Sequence, residues 1–148
     1  MSDALDEIKV ELFRSNNTCI VRKGEQTYTS DKRGVRPLLD WLDIGMDFSG
    51  YVAADRVVGN GAAFLYVLLN VKELYAHVLS RPAAETLERY HIRVAYGTLV
   101  DNIRNREGNG ICPIEEAVTG ETVAADALRR IRARLAELAP KDAKGTDD

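Results

Sequence analysis

The sequence has few of the features that would place a protein in a specialised class. Its two cysteines, Cys19 and Cys112, are too few for a disulfide scaffold and lack zinc-ribbon spacing. The formal net charge of −3 lacks the basic excess of a general nucleic-acid or anionic-membrane binder. No apolar run approaches the roughly 18 residues of a membrane span, and the acidic start lacks a signal peptide's basic and apolar segments. We therefore expect a soluble cytoplasmic protein with no membrane partner.

The chain length fits one domain. It has 148 residues, and domains commonly contain roughly 100–150. We find no internal repeat, and we expect a single domain over residues 1–139. Residues 140–148 contain almost no apolar side chain and are expected to form a disordered tail.

Helical and strand-like segments alternate along the chain, which is typical of an α/β protein. Strands are predicted over 51–58, 73–79 and 92–96, after a hairpin over 18–29. Helices are predicted over 3–14, 34–42, 62–69, 82–90, 98–103, from 112, and over 123–139. The alternation implies right-handed crossovers and a largely parallel sheet. With the antiparallel hairpin added, we expect a mixed sheet between helical layers.

The last predicted helix has two different faces. Its apolar stripe, which must cover either its own sheet or another subunit, contains Leu128, Ile131, Leu135 and Leu138. A homodimer is therefore compatible with the sequence. The other face carries Arg129, Arg130, Arg132 and Arg134. Such a face is most often solvated, and we do not expect nucleic acid as the main partner.

Ligands of open α/β sheets bind beyond the carboxyl ends of the strands. Gly59-Asn60-Gly61 follows a predicted strand there, so its backbone amides are candidates to hold a phosphate or carboxylate. The dinucleotide fingerprint fails because Phe64 stands where a third glycine is required, and no Gly-Lys-Ser/Thr sequence follows. The alternative is that the glycines only form a tight turn before a buried helix.

Two further groups near strand or helix ends are candidates for chemistry. Asp55 precedes the glycine turn and is a candidate general base or a group that positions a neighbouring cation. The alternative is an ion pair at the strand end or a cap for the following helix. Cys112 precedes Pro113 at a predicted helix start, where the helix dipole lowers a thiol pKa and favours a nucleophilic thiolate. Its alternative role is that of a half-buried cap residue. We expect no metal and no cofactor, since neither His77 nor His91 has a partner at metal-ligand spacing.

Two motifs together resemble one small prokaryotic family. The run from Asp55 to Ala63, Asp-Arg-Val-Val-Gly-Asn-Gly-Ala-Ala, is similar to the central motif of domain-of-unknown-function family 1893. Asn105-Arg106 followed by the sequence from Cys112 to Glu115 resembles its second motif. The resemblance covers roughly residues 17–118. It implies a three-layer αβα sandwich with a mixed sheet, like that of the cytidine deaminases.

The same resemblance implies where a pocket lies but not its reaction. Zinc deaminases need His-x-Glu or Cys-x-Glu at one helix start and Pro-Cys-x-x-Cys at the next. This chain has Gly59-Asn60-Gly61 at the first, and no thiolate after Pro82 at the second. The pocket residues that the resemblance implies are Asp55, Arg56, Gly59, Asn60, Asn105, Arg106, Cys112 and Glu115. Asn60 stands where we expect a lysine in the family.

Two functional hypotheses follow. In the first, a metal-independent enzyme uses Cys112 to attack a small anionic or nucleoside-like substrate while Asp55 moves the proton. Arg56 and the amides of Gly59–Gly61 then hold the negative group. In the second, the same pocket binds or senses a small molecule without catalysis. The sequence leaves both open.

Overall fold

The computed structural model describes residues 2–139 of the chain. The tail expected over 140–148 lies outside these residues. The elements in chain order are α1 (Asp3–Arg14), β1 (Cys19–Lys23), β2 (Gln26–Ser30), α2 (Arg36–Asp43), β3 (Val52–Val58), α3 (Asn60–Leu69), β4 (Glu73–Ser80), α4 (Arg81–Arg89), β5 (Arg93–Val100), α5 (Pro113–Ala117) and α6 (Ala124–Leu138). None of the helices in this range is long and apolar enough to cross a membrane.

The strands form a five-stranded mixed sheet in the order β2-β1-β3-β4-β5. β1 pairs antiparallel with both β2 and β3, whereas β3, β4 and β5 run parallel. The parallel pairs are connected through α3 and α4, because parallel neighbours need a crossover rather than a hairpin. The predicted α/β fold with a mixed sheet is confirmed.

Helices cover both faces of this sheet, which gives a three-layer arrangement. On one face, α1 packs through Leu5, Ile8 and Leu12 in a cluster that includes Ile20 and Val52 of the strands. On the other face, α2, α3, α4 and α6 share the larger apolar core. α3 is buried nearly all round because it packs against β3 and against four other helices, α2, α4, α5 and α6.

Three details differ from the sequence prediction. The helix predicted over 98–103 is wrong, because β5 continues to Val100 and pairs with β4 up to Ser80. α3 begins at Asn60, two residues earlier than predicted, after Gly59 in an extended conformation. Gly61 therefore lies in the first turn of α3 rather than in a tight turn. Only a glycine fits there without a shift of its neighbours, because a Cβ at this position would clash with Cγ2 of Ile114 at 2.6 Å.

The carboxyl ends of the parallel strands lie at one edge of the sheet. β3 leads directly into α3, and β4 leads directly into α4, where Ser80 accepts a hydrogen bond from the Ala83 amide at 3.2 Å. The segment 101–112 leaves the same edge after β5 and returns to α5. This edge is where α/β sheets hold their ligands.

Candidate functional site

A cavity of about 770 Å³ opens at the carboxyl end of β3. This volume is within the usual range of ligand sites, roughly 300–1,000 Å³. Its wall combines the end of β3, the starts of α2, α3 and α5, and the segment after β5. Eight of the nine predicted site residues line it, namely Asp55, Arg56, Gly59, Gly61, Asn105, Arg106, Cys112 and Glu115. The ninth, Asn60, lines a neighbouring cavity of about 360 Å³.

The sequence interpretation missed several lining residues. They come from the amino-terminal hairpin, from the start of α2 and the residues before it, from the segment after β5 and from the far end of α6. They include Thr18, Cys19, Arg33, Val35, Pro37, Ile103, Arg104 and Leu138. Their position depends on long-range pairing, such as the register that sets Cys19 of β1 beside Asp55 of β3. Among these residues only Pro37 has a local signal, since a proline in a first helical turn marks a helix start.

Asp55 is the buried acidic group of the cavity wall on β3. It is 7% exposed, and its Oδ2 accepts a hydrogen bond from the Tyr66 hydroxyl at 2.7 Å. Its Oδ1 accepts a longer one from the Val57 amide at 3.3 Å. Burial raises the pKa of the Asp55 carboxyl from 3.8 to about 7, although these hydrogen bonds and Arg56 act in the opposite direction. A group with this pKa can exchange a proton near neutral pH.

Asp55 also changes the groups around it. Burial, and then the charge of Asp55, raise the pKa of the Cys19 thiol. The same two causes raise the pKa of the Tyr66 hydroxyl well above its usual value. Cys19 and Tyr66 therefore stay protonated at neutral pH, and Tyr66 acts as a hydrogen-bond donor to the carboxyl group.

Arg56 lies beside Asp55 in the chain, but its guanidinium is engaged elsewhere. It donates to the carbonyl oxygens of Leu12 at 2.6 Å, Ser15 at 2.8 Å and Asn17 at 2.8 Å. These carbonyls belong to the last turn of α1 and the residues that follow it, where a helix leaves acceptors unsatisfied. Arg56 thus satisfies acceptors at the end of α1.

Glu115 of α5 occupies the position where the glycine amides were expected to hold an anion. Its Oε2 accepts hydrogen bonds from the Asn60 amide at 2.7 Å and from the Ser80 hydroxyl at 2.6 Å. Its Oε1 accepts one from the Ile103 amide. The protein's own carboxylate therefore sits at the amino terminus of α3, which favours a negative charge. Glu115 ties α5, α3, α4 and the segment after β5 together.

The neighbouring polar residues of the two motifs also have internal partners. The Asn60 side chain is buried and accepts a hydrogen bond from the Thr86 hydroxyl. Asn105 closes the loop over 105–110, because its side-chain oxygen accepts from the Asn109 amide at 3.2 Å and its own amide donates to Gly110 at 2.9 Å. The predicted loop is confirmed, with Asn105 as its turn residue.

Cys112 is half-buried and precedes α5. This helix has only five residues, so few aligned peptide dipoles act on the thiol. Glu115 and Glu116 in its first turn add negative charge near the same end. The Cys112 amide donates to the Ile103 carbonyl at 2.8 Å, which closes the base of the loop. Cys112 therefore lines the cavity as part of its wall.

Three arginines line the outer part of the cavity. Arg33, Arg104 and Arg106 are exposed, and within residues 2–139 none of the three forms an ion pair. The acidic side chain beside them is Glu107, which is also exposed. The mouth of the cavity therefore carries an excess of positive charge.

The arginines of α6 are arranged differently. Each of the four predicted for its polar face forms an ion pair, with acceptors on Asp126, Glu121, Asp43, and Glu116 and Glu137. On the apolar stripe, Ile131 is buried and Leu138 is 53% exposed. In the described part of the chain, no group of three or more His, Cys, Asp or Glu side chains is placed to hold a metal.

The chain is similar to known proteins in sequence and in fold. The model of a domain-of-unknown-function family, DUF1893, matches residues 7–135. No curated protein matches the chain. The fold is similar to the crystal structure of a DUF1893 family protein from Thermotoga maritima, with a TM-score of 0.80 and 20% identity over 93% of this chain and 92% of that one. At this identity the likeness concerns the fold alone, and the relation to cytidine deaminases stays a prediction.

Proposed function

This chain belongs to the DUF1893 family, whose function is unknown, and we propose that it binds a small molecule in the cavity at the end of β3. The observation that carries this proposal is Asp55. It is a carboxyl group 7% exposed on a cavity wall, and it forms no ion pair with any cation among residues 2–139.

A buried carboxylate without a paired cation lowers the stability of the folded protein. A buried carboxylate loses its hydration, and structural carboxylates usually recover that loss through a paired cation or several donors. Asp55 has a tyrosine hydroxyl at 2.7 Å and one amide at 3.3 Å. Perturbed acids in a cavity are typical of functional sites. The position of Asp55 at the carboxyl end of a parallel strand supports the same assignment.

The rest of the wall supports a small organic ligand. Apolar side chains also line the cavity, and they include Val35, Pro37, Val57, Ala62, Ile103 and Ile114. Ligand sites commonly combine such apolar walls with a few polar groups that fix orientation. The Asp55 carboxyl is a polar group inside with acceptor positions left unfilled, and the exposed arginines are the polar groups at the mouth.

Binding can be tested by screening a small-molecule library against protein labelled with ¹⁵N. We expect ligands to shift the amide signals of residues that line the cavity, and we expect Asp55→Asn to weaken those ligands about tenfold or more. Asp31→Asn changes an exposed aspartate outside the cavity lining and serves as the control. A library that yields no compound acting on the cavity amides would contradict the proposed function.

A second candidate function is a cysteine-dependent enzyme, favoured by one observation. Cys112 and Asp55 line the same cavity. In this mechanism Asp55 accepts the thiol proton and the Cys112 sulfur adds to a C=O or C=N carbon of the substrate, whose π bond breaks as its electron pair moves to the oxygen or nitrogen. The structure gives it less support than binding, since α5 is short and carries two glutamates in its first turn.

The two candidates differ in the chemistry of one thiol. The enzyme requires rapid alkylation of Cys112 well below the usual thiol pKa of about 8.5, measured with Cys19 replaced by serine. It also requires that Cys112→Ser abolish turnover of a substrate while ligand binding survives. Slow alkylation with an ordinary pH profile would remove the nucleophile and leave the binding function.

A further inference from the structure

We propose that the ligand carries charges of opposite sign at its two ends, a protonated amine that meets Asp55 and a carboxylate or phosphate that meets the arginines at the mouth. This inference rests on the proposed binding function and adds the chemical class of the ligand. It follows from the charged side chains of the cavity wall that have no ion-pair partner within residues 2–139, Asp55 at one end and the arginines at the other.

At the inner end, Asp55 has hydrogen-bonding capacity to spare. A carboxylate offers roughly four acceptor positions, and Tyr66 and Val57 occupy two of them. The nearest arginine in the chain, Arg56, binds three main-chain carbonyls instead. An ammonium or other N–H group of a ligand would supply the missing counter-charge. In an apolar cavity such a pair is stronger than in water.

At the outer end, the positive side chains have no ion-pair partner in the part of the chain that the structure describes. Arg33, Arg104 and Arg106 lack ion pairs within residues 2–139, whereas all four arginines predicted for the polar face of α6 are paired. Guanidinium groups bind carboxylate and phosphate through two parallel hydrogen bonds. Glu107 is the opposing charge at the mouth, so three positive groups stand against one negative group there.

The alternative place for an anion is already filled. A phosphate at the start of α3 would need the Asn60 amide, which donates to Glu115 at 2.7 Å. Ser80 donates to the same oxygen at 2.6 Å. An anionic ligand group is therefore directed to the arginine side of the cavity. Apolar residues of the same wall, such as Val57 and Ile103, suit a ring or short hydrocarbon body.

Four matched benzene derivatives test this class directly. The probe with both charges is para-(aminomethyl)benzoate. Para-toluate keeps only the anion, para-methylbenzylamine keeps only the cation, and para-xylene keeps neither. Titration of the labelled protein gives the four dissociation constants, and cavity amides report the site. We expect the doubly charged probe to bind at least tenfold more tightly than each of the others.

Variants assign each end of the probe. Asp55→Asn should weaken the two amines about tenfold and leave para-toluate unchanged. The double variant Arg104→Gln/Arg106→Gln should do the reverse, weakening the two carboxylates and leaving para-methylbenzylamine unchanged. Arg129→Gln on α6 is the matched control and should change none of the four constants. The amide spectrum of each variant verifies that it folds.

The remaining outcomes overturn either the proposed ligand class alone or the binding function as well. Equal affinity for the four probes, or no binding of the doubly charged probe, overturns the proposed ligand class. If library compounds without charge still bind the cavity amides, the binding function stands and only the class fails. If neither the probes nor any library compound acts on the cavity, both proposals fail.

Discussion

Two buried carboxyl groups line the same cavity and differ in what surrounds them. Glu115, 4% exposed, accepts hydrogen bonds from two main-chain amides and a serine hydroxyl. Asp55, 7% exposed, accepts one from a tyrosine hydroxyl and a long one from an amide. Burial alone therefore does not distinguish the two acids. The number of internal donors does, because unfilled acceptor positions remain available to a ligand.

The largest effect is expected from Glu115→Ala. This change leaves the amides of Asn60 and Ile103 and the Ser80 hydroxyl without their acceptor. We expect a loss of roughly 3–5 kcal/mol in the free energy of unfolding, because each buried donor left unpaired costs about 1–3 kcal/mol. Urea unfolding measures it.

The exposed neighbour Glu116 supplies the control for that experiment. Its ion pair with Arg134 lies at the surface, so Glu116→Ala should cost less than about 1 kcal/mol. Glu115→Gln keeps the side-chain volume and one acceptor oxygen, so its loss in the free energy of unfolding should lie between those of the two alanine variants. It replaces Glu115→Ala in the comparison if that variant does not fold. If Glu115→Ala and Glu116→Ala lowered the free energy of unfolding equally, the buried hydrogen bonds of Glu115 would not stabilise the fold more than a surface ion pair does.

Asp55→Asn should raise the free energy of unfolding at alkaline pH, whereas Glu115→Ala lowers it. The folded protein keeps the Asp55 proton up to about pH 7, whereas the unfolded chain releases it near 3.8. Because the folded state binds the extra proton between these values, the free energy of unfolding contributed by Asp55 falls as the pH rises through this range. By about pH 8 the loss approaches an order of 4 kcal/mol. Asparagine does not titrate and avoids it.

The measurement is urea unfolding of both proteins at about pH 5 and pH 8. Other carboxyl groups titrate alike in the two proteins, so the difference between them isolates Asp55. We expect the variant to gain stability relative to the wild type as the pH rises. A difference that stays constant would place the pKa of Asp55 in the ordinary range and would remove its contrast with Glu115.

Gly61→Ala should have a smaller effect, on the packing that holds Glu115 in place. The added methyl group would lie 2.6 Å from Cγ2 of Ile114. Overpacking of this kind typically costs about 1–3 kcal/mol, against a gain of about 1 kcal/mol in helix propensity. We therefore expect a net loss in urea unfolding. The double variant Gly61→Ala/Ile114→Ala should show a favourable coupling energy, and purely additive effects would exclude this contact as the cause.

Cys112→Ser should have the smallest effect. The residue is half-buried, and its main-chain hydrogen bond to Ile103 does not involve the sulfur. We expect a change below about 0.5 kcal/mol in stability and an unchanged dissociation constant for para-(aminomethyl)benzoate. A tenfold weaker constant would mean that the thiol, rather than Asp55 alone, contacts the ligand.

The fold could be predicted from the sequence because its elements have local signals. Strand and helix periodicity located β3, α3, β4 and α4, and the hairpin identified the antiparallel part. The error over 98–103 has a specific cause, since pairing with β4 extends β5 to Val100. Pairing between distant segments is not encoded in the pattern of either segment alone.

The candidate site was predictable only in part, for the same reason. The family motifs led to the residues that line the cavity but not to the partners of their side chains. Glu115 bonds an amide 55 positions away, and the Arg56 guanidinium reaches a carbonyl 44 positions away. The family resemblance predicts a role toward a ligand for both residues, and the hydrogen bonds that they form within the protein have no local signal in the sequence.

The most direct test is an NMR titration of the Asp55 side-chain carboxyl carbon, with and without para-(aminomethyl)benzoate. We predict a midpoint near pH 7 for the free protein, in accord with the raised pKa of about 7. With the probe bound the midpoint should fall, because an adjacent ammonium favours the charged carboxylate. A midpoint near the ordinary aspartate value of about 3.9, or one that the probe does not move, would contradict the assignment of Asp55 as the ligand-binding carboxylate.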